Sequence, residues 1–245
     1  RLSMSAKKLK IPFKQKGLKN TIKKLLELNG LIAKDSCLKI ILTRGTDKAI
    51  FLPAKKTKPT LLIMAYPIDI KTIRKNQEHG VDVILVSDTP PIINGLKTLN
   101  CLRSIIARME ADEKGADEAV FTDKKMGFLE GTSSNIFFVK DGTIKTPPLS
   151  TGILPGITRL AVIKLAKKNG IPLEETLVRN NKPDGFDEVF LTNSIIEITP
   201  VVRINGSAVG KGRVGKVART LQEAYRSYAP QNPLTPVKKN PRART

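Results

Sequence analysis

Three short stretches between Lys97 and Arg159 hold side chains whose types could work together. They are LKTLN with Lys97, FLEGTSSN with Glu130 beside Gly131, Thr132, Ser133, Ser134 and Asn135, and LPGITR with Gly156, Ile157 and Thr158. A lysine that partly sheds its water has a lowered pKa and can bond a carbonyl carbon. A lone carboxylate on an apolar strand can keep a ring nitrogen protonated, which makes the ring an electron sink. Gly156 lets the chain turn tightly, so the amides of Ile157 and Thr158 stand free at a helix start, where aligned donors and the helix dipole bind phosphate. In LTNSIIEITPV a second small polar cluster, Thr192, Asn193 and Ser194, stands at a strand end and offers further phosphate contacts. Each feature also has a plainer reading: a solvated lysine, a surface glutamate in an ion pair, an N-terminal cap, an ordinary turn. Amine, carboxylate and phosphate cradle in one chain suit a phosphorylated, electron-withdrawing ring.

The rest of the composition narrows the chemistry. Lys and Arg number 43 against 22 Asp and Glu, for a formal charge of +21, a field that draws phosphates and acidic ligands. Aromatic residues make up only 4%, and no basic stretch is interleaved with Phe or Tyr, so the charge reads as a lysine-coated surface rather than a nucleic-acid platform. His79 is the only histidine, in the turn-like EHG, which excludes a metal centre built on several histidines and leaves a Ser-His-Asp triad only that one residue. Cys37 and Cys101 lie in apolar surroundings and read as buried free thiols of a reducing compartment, hence a cytoplasmic setting. No apolar run approaches the roughly 18 residues of a membrane span, and RLSMSAKKLK lacks the apolar core of a signal peptide.

Periodicity supplies the elements that must position these groups. Residues 1–29 read as helical, with faces through Leu2, Ala6 and Leu9 and through Leu18, Ile22, Leu25 and Leu26. Strands are expected over 37–43, 49–52, 60–65 and 81–88, followed by an extended Thr89-Pro90-Pro91. From residue 99 to 114, Leu99, Leu102, Ile105, Ile106 and Met109 recur at helical spacing, with Lys97 one or two residues ahead of that helix. Strands follow over 118–123, 128–130 and 135–140, with Asp141-Gly142 as a hairpin turn, then a helix over 157–169, strands over 188–193 and 199–205, and an amphipathic helix over 215–228. Strand runs punctuated by helices, without regular βαβ alternation, argue for an α+β protein in two lobes. The expected division is a smaller α/β lobe over 1–88, a linker over 89–96, a larger cofactor-binding lobe over 97–228 and a disordered basic, Pro-rich tail over 229–245.

Taken as a series, LKTLNCL, GADEAVF, LEGTSSNIFFVKDGTIKTPPL, GILPGITR, DEVFLTNSIIEITPV and ING resemble the class IV pyridoxal-phosphate aminotransferases. That family includes branched-chain and D-amino-acid transaminases and 4-amino-4-deoxychorismate lyase. The resemblance runs from Arg1 to about Tyr228 and is densest after Lys97. It implies a two-lobed D-amino-acid-aminotransferase-like fold, pyridoxal 5'-phosphate as cofactor, small amino-acid and 2-oxo-acid substrates, and a homodimer. Carried over, Lys97 matches the Schiff-base lysine, Glu130 the pyridine-nitrogen carboxylate, Ile157 and Thr158 the phosphate-binding helix start, and Asn193 and Ser194 the second phosphate loop. The opening RLSMSA resembles the family's RLxxSA stretch, so Arg1 inherits the phosphate arginine, whose fork suits a dianion.

The family places strands before that arginine, so the chain is expected to lack its first N-terminal strands. Cys101 stands where branched-chain members tend to place a tyrosine. The lyase usually continues its lysine segment with Asn-Arg, whereas here Asn100 precedes Cys101, which favours a transaminase of D-amino-acid or branched-chain type. The alternatives are 4-amino-4-deoxychorismate lyase, releasing pyruvate by elimination, and an inactive family member or basic binding protein.

Overall fold

The structure, a computed structural model, describes residues 1–46, 52–54, 57–87, 95–179 and 183–228. The expected strand over 49–52 (save Leu52), the Thr89-Pro90-Pro91 linker and the tail after Tyr228 lie outside the described residues. Contacts divide the chain into two units, Arg1–Ile70 and Lys71–Ala229.

In the first unit the single helical stretch read from the sequence is two helices, α1 (Leu2–Lys8) and α2 (Leu18–Leu28). Between them Lys10 and Gly17 take left-handed φ of 54° and 80° and Pro12 withholds an amide, a combination no continuous helix tolerates. The Arg44 guanidinium donates to the carbonyls of Leu9 and Lys10, capping the end of α1. Strands β1 (Ser36–Thr43) and β2 (Thr60–Pro67) form an antiparallel pair with Cys37 opposite Tyr66.

The second unit is built on a nine-stranded sheet. Its elements in chain order are α3 (Ile70–His79), β3 (Val81–Ser87), α4 (Leu102–Glu113), β4 (Glu118–Asp123), β5 (Gly127–Gly131), β6 (Asn135–Lys140), β7 (Thr143–Thr146), α5 (Ile157–Lys168), β8 (Leu173–Glu175), β9 (Glu188–Asn193), β10 (Glu197–Ile204), β11 (Ser207–Ala208) and α6 (Lys216–Tyr228). Pairing runs β10-β3-β4-β5-β6-β9 and back to β10, so these strands close into a barrel. The pairs β3–β4 and β3–β10 are parallel and the rest of the circuit is antiparallel. The Asp141-Gly142 hairpin turn is present, with both φ positive.

Because side chains alternate across a strand, each barrel strand feeds two cores. Val83, Val120, Phe128, Ile136, Phe138, Leu191 and Val201 fill the interior. Outside, Phe137, Val139, Phe190 and Ile198 pack under α5 and α6 through Val162, Leu165, Ala218 and Leu221. Ile84, Ala119, Phe121 and Leu129 pack under α4 through Ala107 and Ala111.

Three sequence expectations change here. β3 was assigned to the smaller lobe, but it lies between β4 and β10; a run such as VDVILV, with Val83 inside and Ile84 outside, needs cover on both faces. The helix α3 gave no apolar period, because polar Gln77 is its buried anchor. On α4 the apolar stripe faces outward: Leu102, Ile105, Ile106 and Met109 are each more than half exposed, while small Ala107 and Ala111 let the opposite face sit close to the sheet. Cys101, just ahead of this helix, is accordingly exposed rather than buried, and Cys37 is half-buried; both are free thiols. No helix among the described residues is long and apolar enough to cross a membrane.

Phe138 is fully buried in the barrel, with ring centroids 4.6 Å from both Phe128 and Phe186. Phe138→Ala is expected to cost about 3–5 kcal/mol in chemical denaturation; a loss under about 1 kcal/mol would mean that the interior is not the stabilising core.

Candidate active site

Glu130, the penultimate residue of β5, stands directly opposite Asn135, the first residue of β6. Its Oε2 accepts the backbone N–H of Leu154 at 3.0 Å and lies 3.4 Å from the Asn135 Nδ2 donor. The same Nδ2 donates to the Leu154 carbonyl at 2.9 Å, so the backbone N–H and carbonyl of this one residue are both held by these two side chains. Burial pushes the Glu130 carboxyl up from 4.5 to about 6; the Leu154 N–H, then the Arg103 and Lys97 charges, pull it back.

Residues 152–156 lead into α5, whose N-terminal amides include those of Ile157 and Thr158. Gly156 has to be glycine on steric grounds, because an added Cβ would collide with Asn135 Oδ1. Thr158 is buried and its hydroxyl finds no partner among the described residues. Thr192 is the register partner of Asn135 across β6 and β9, and its hydroxyl is also buried, without a partner among the described residues. Asn193 donates from Nδ2 to the Ser133 carbonyl at 3.2 Å, which ties the turn after β9 to the loop after Glu130. Ser194 is exposed in that turn.

Lys97 lies farther from its helix than the sequence suggested, since α4 begins only at Leu102. Its segment is pinned at Gly95, whose N–H donates to the Gly152 carbonyl at 3.3 Å and whose added Cβ would stand 3.0 Å from Pro155. Lys97 is exposed, and its charge reaches Glu130. Lys97, Glu130, Ile157, Thr158, Asn193 and Ser194 therefore all belong to the second unit, while Arg1 belongs to the first, exposed ahead of α1.

The residue types fit a phosphorylated pyridine. A buried hydroxyl without an acceptor costs about 1–3 kcal/mol, so Thr158 and Thr192 are donors in want of an anion or another acceptor. A half-buried carboxylate steadied by a peptide N–H matches a protonated ring nitrogen.

Sequence reasoning missed several supports. Asn135 counted only as one of a small polar loop, although it clamps the Leu154 carbonyl. Glu118, buried at the start of β4, accepts the Thr132 hydroxyl and pairs with Arg108 at 3.3 Å, holding the 131–134 loop. Arg103 continues the Ala107–Ala111 face of α4 and stacks its guanidinium 3.8 Å from the Phe121 ring centroid. The i, i+4 spacing of Arg103, Ala107 and Ala111 was a readable signal, overshadowed by the bulkier stripe on the other side.

Known proteins resemble this chain in sequence and in fold. The profile of the amino-transferase class IV family matches residues 1–204. The chain is 33% identical over 217 residues to a D-alanine aminotransferase of Bacillus licheniformis, covering 89% of this chain and 75% of that one. It superposes on the Escherichia coli branched-chain amino acid aminotransferase with a TM-score of 0.83 and 30% identity, over 92% of this chain and 76% of that one. A branched-chain amino acid aminotransferase of Thermobaculum terrenum, solved in its pyridoxal-phosphate holo-form, matches with a TM-score of 0.81 and 27% identity, over 93% and 75%.

A carboxyl whose folded pKa is raised adds stability below its unfolded value, and that stability is lost as pH climbs through the folded value. Glu130→Gln removes the penalty. In the cofactor-free protein its stability relative to wild type should rise between pH 4.5 and about 6 and level off about 2 kcal/mol higher. A difference that does not change with pH in thermal unfolding would contradict the raised pKa.

Proposed function

The chain belongs to the amino-transferase class IV family, and we propose that it moves the amino group of a D-amino acid or a branched-chain amino acid to a 2-oxo acid. It is a pyridoxal-phosphate-dependent transaminase. When bound, pyridoxal 5'-phosphate supplies an aldehyde and an electron-withdrawing ring that accepts the charge left when a substrate Cα loses its proton.

The chain's own residues divide the remaining work. Lys97 would supply the Nζ amine that holds the aldehyde group, and the same amine, when free, would serve as the base that takes a proton from the substrate Cα. Glu130, with its carboxyl near 6, is largely ionised at neutral pH and would pair with a protonated ring nitrogen. Leu154 N–H and the Asn135 amide fix the direction of that carboxylate. The amides of Ile157 and Thr158, the Thr158 hydroxyl, and Asn193 and Ser194 would hold the phosphate. One observation carries the reading: a single loop, through Leu154 and Gly156, orients the half-buried carboxylate and opens the helix whose Thr158 hydroxyl lacks a partner.

The outward stripe of α4 supports a homodimer. Leu102, Ile105, Ile106 and Met109 form a contiguous apolar face on one helix, each more than half exposed, a face suited to protein–protein contact. The two free thiols fit a reducing, cytoplasmic setting.

Purified protein incubated with pyridoxal 5'-phosphate, 2-oxoglutarate and a panel of D- and branched-chain amino acids should yield the matching keto acids. Lys97→Ala should lose the visible absorbance of the bonded cofactor and lower turnover by about 10³-fold or more. Pyruvate from 4-amino-4-deoxychorismate, with no keto acid from any amino acid, would replace the transaminase reading by the lyase. Ile106→Asp should turn the dimer into monomer in analytical ultracentrifugation; an unchanged sedimentation coefficient would remove α4 from the interface.

A further inference from the structure

The turn joining β9 to β10 has a twin joining β4 to β5. In the twin, Asp123 Oδ1 accepts the backbone N–H groups of Lys125 and Met126, both at 2.8 Å. In the other, Asn193 Oδ1 accepts those of Ile195 at 2.8 Å and Ile196 at 2.9 Å. The residue that reopens the second strand is left-handed in both: Gly127 at φ 79° and Glu197 at φ 57°. Glycine takes that conformation freely, whereas a residue with a Cβ holds it at a cost of roughly 1–2 kcal/mol and persists only where its surroundings over-determine it.

The surroundings of Glu197 are a polar network from two helices. Its Oε2 accepts Arg74 Nη1 at 2.9 Å and Gln77 Nε2 at 3.1 Å, both on α3. Gln77 Nε2 also donates to the Ile196 carbonyl at 2.9 Å, and Arg74 Nη1 to Gln77 Oε1 at 2.6 Å. From α6, Gln222 donates to the carbonyls of Gln77 and Ile198, each at 3.0 Å. Gln77 and Gln222 are buried, so polar side chains of two helices are committed to this one turn. That turn carries Asn193, which reaches the Ser133 carbonyl beside the Glu130 loop, and Ser194.

We propose that Glu197 is a positioning residue: tethered by Arg74 and Gln77, it accepts a strained backbone in order to fix the Asn193–Ser194 turn where it meets the cofactor phosphate. The inference rests on the phosphate role proposed above for that turn. It explains why a glutamate stands where the twin turn has glycine.

The test separates folding from positioning. Glu197→Gly relieves the strain and copies the twin, so the cofactor-free variant should melt at or above the wild-type temperature. Its affinity for pyridoxal 5'-phosphate should nevertheless fall about tenfold, while its affinity for pyridoxal, which lacks the phosphate, stays unchanged. Arg74→Ala should show the same phosphate-selective loss and add little to Glu197→Gly in the double variant. Glu197→Gln, which keeps an acceptor for Gln77, should fall between the two. Ser194→Ala serves as the control for the underlying reading. If Ser194→Ala is phosphate-selective while Glu197→Gly and Arg74→Ala lose nothing, or lose both ligands equally, the tether is overturned. If Glu197→Gly is selective while Ser194→Ala is not, the tether stands and another group of the turn holds the phosphate. If none of the variants is selective, both readings fall.

Discussion

The backbone of Leu154 is the point on which the candidate site depends. Its N–H is taken by the Glu130 carboxylate and its carbonyl by the Asn135 amide, so the loop that opens α5 cannot move without moving the carboxylate. One carbonyl of the same loop region fixes a neighbour, since Gly152 accepts the Gly95 amide two residues before Lys97. Amine, carboxylate and helix start are thereby referred to one short segment of backbone rather than to one another. Such indirect coupling suits a site whose groups must all address a single ligand, because each is oriented by a rigid partner and none is neutralised by its neighbour.

That segment is held still by the barrel behind it. Glu130 and Asn135 stand on adjacent strands, and Asn135 faces Thr192 on the next, so the site lies across β5, β6 and β9, strands that also contribute to the fully buried interior. Phe137 and Phe190, stacked with centroids 5.0 Å apart, face the other way and anchor α5 and α6. The interior gives register, the outer layer gives the height of α5, and polar groups fall at the strand ends where alternation would otherwise leave them to water.

Polar groups inside this scaffold are used to hold backbone rather than to add stability. Glu118 holds the 131–134 loop, and Gln77 and Gln222 hold the strained hairpin at Glu197. Isolated hydrogen bonds of this kind contribute on the order of 1 kcal/mol each, but leaving one of their partners unpaired costs more, which makes the arrangement specific. The apolar face of α4 shows the converse, an exposed stripe within a well-packed unit.

Local signals were legible where chemistry and conformation coincide within a few residues. Gly156 before Ile157 and Thr158, the Asp141-Gly142 turn, and the short apolar runs that became β4, β6 and β9 could be read because their causes are steric and short-range. Family resemblance connected Lys97, Glu130 and the helix start, which composition and spacing alone left as separate possibilities. Other features depended on residues distant in sequence. Which side of α4 is buried was settled by the fit of Ala107 and Ala111 against β4, not by the larger apolar moment of the opposite side. The place of β3 was settled by β10, some 120 residues later in the Asp82–Arg203 pair. The roles of Asn135 and Glu197 were settled by Leu154 and by Arg74 with Gln77. Sequence by itself determines which groups are available and how each local backbone can turn; tertiary structure decides which of them share a partner, because that depends on distances between strands and helices that no local pattern encodes.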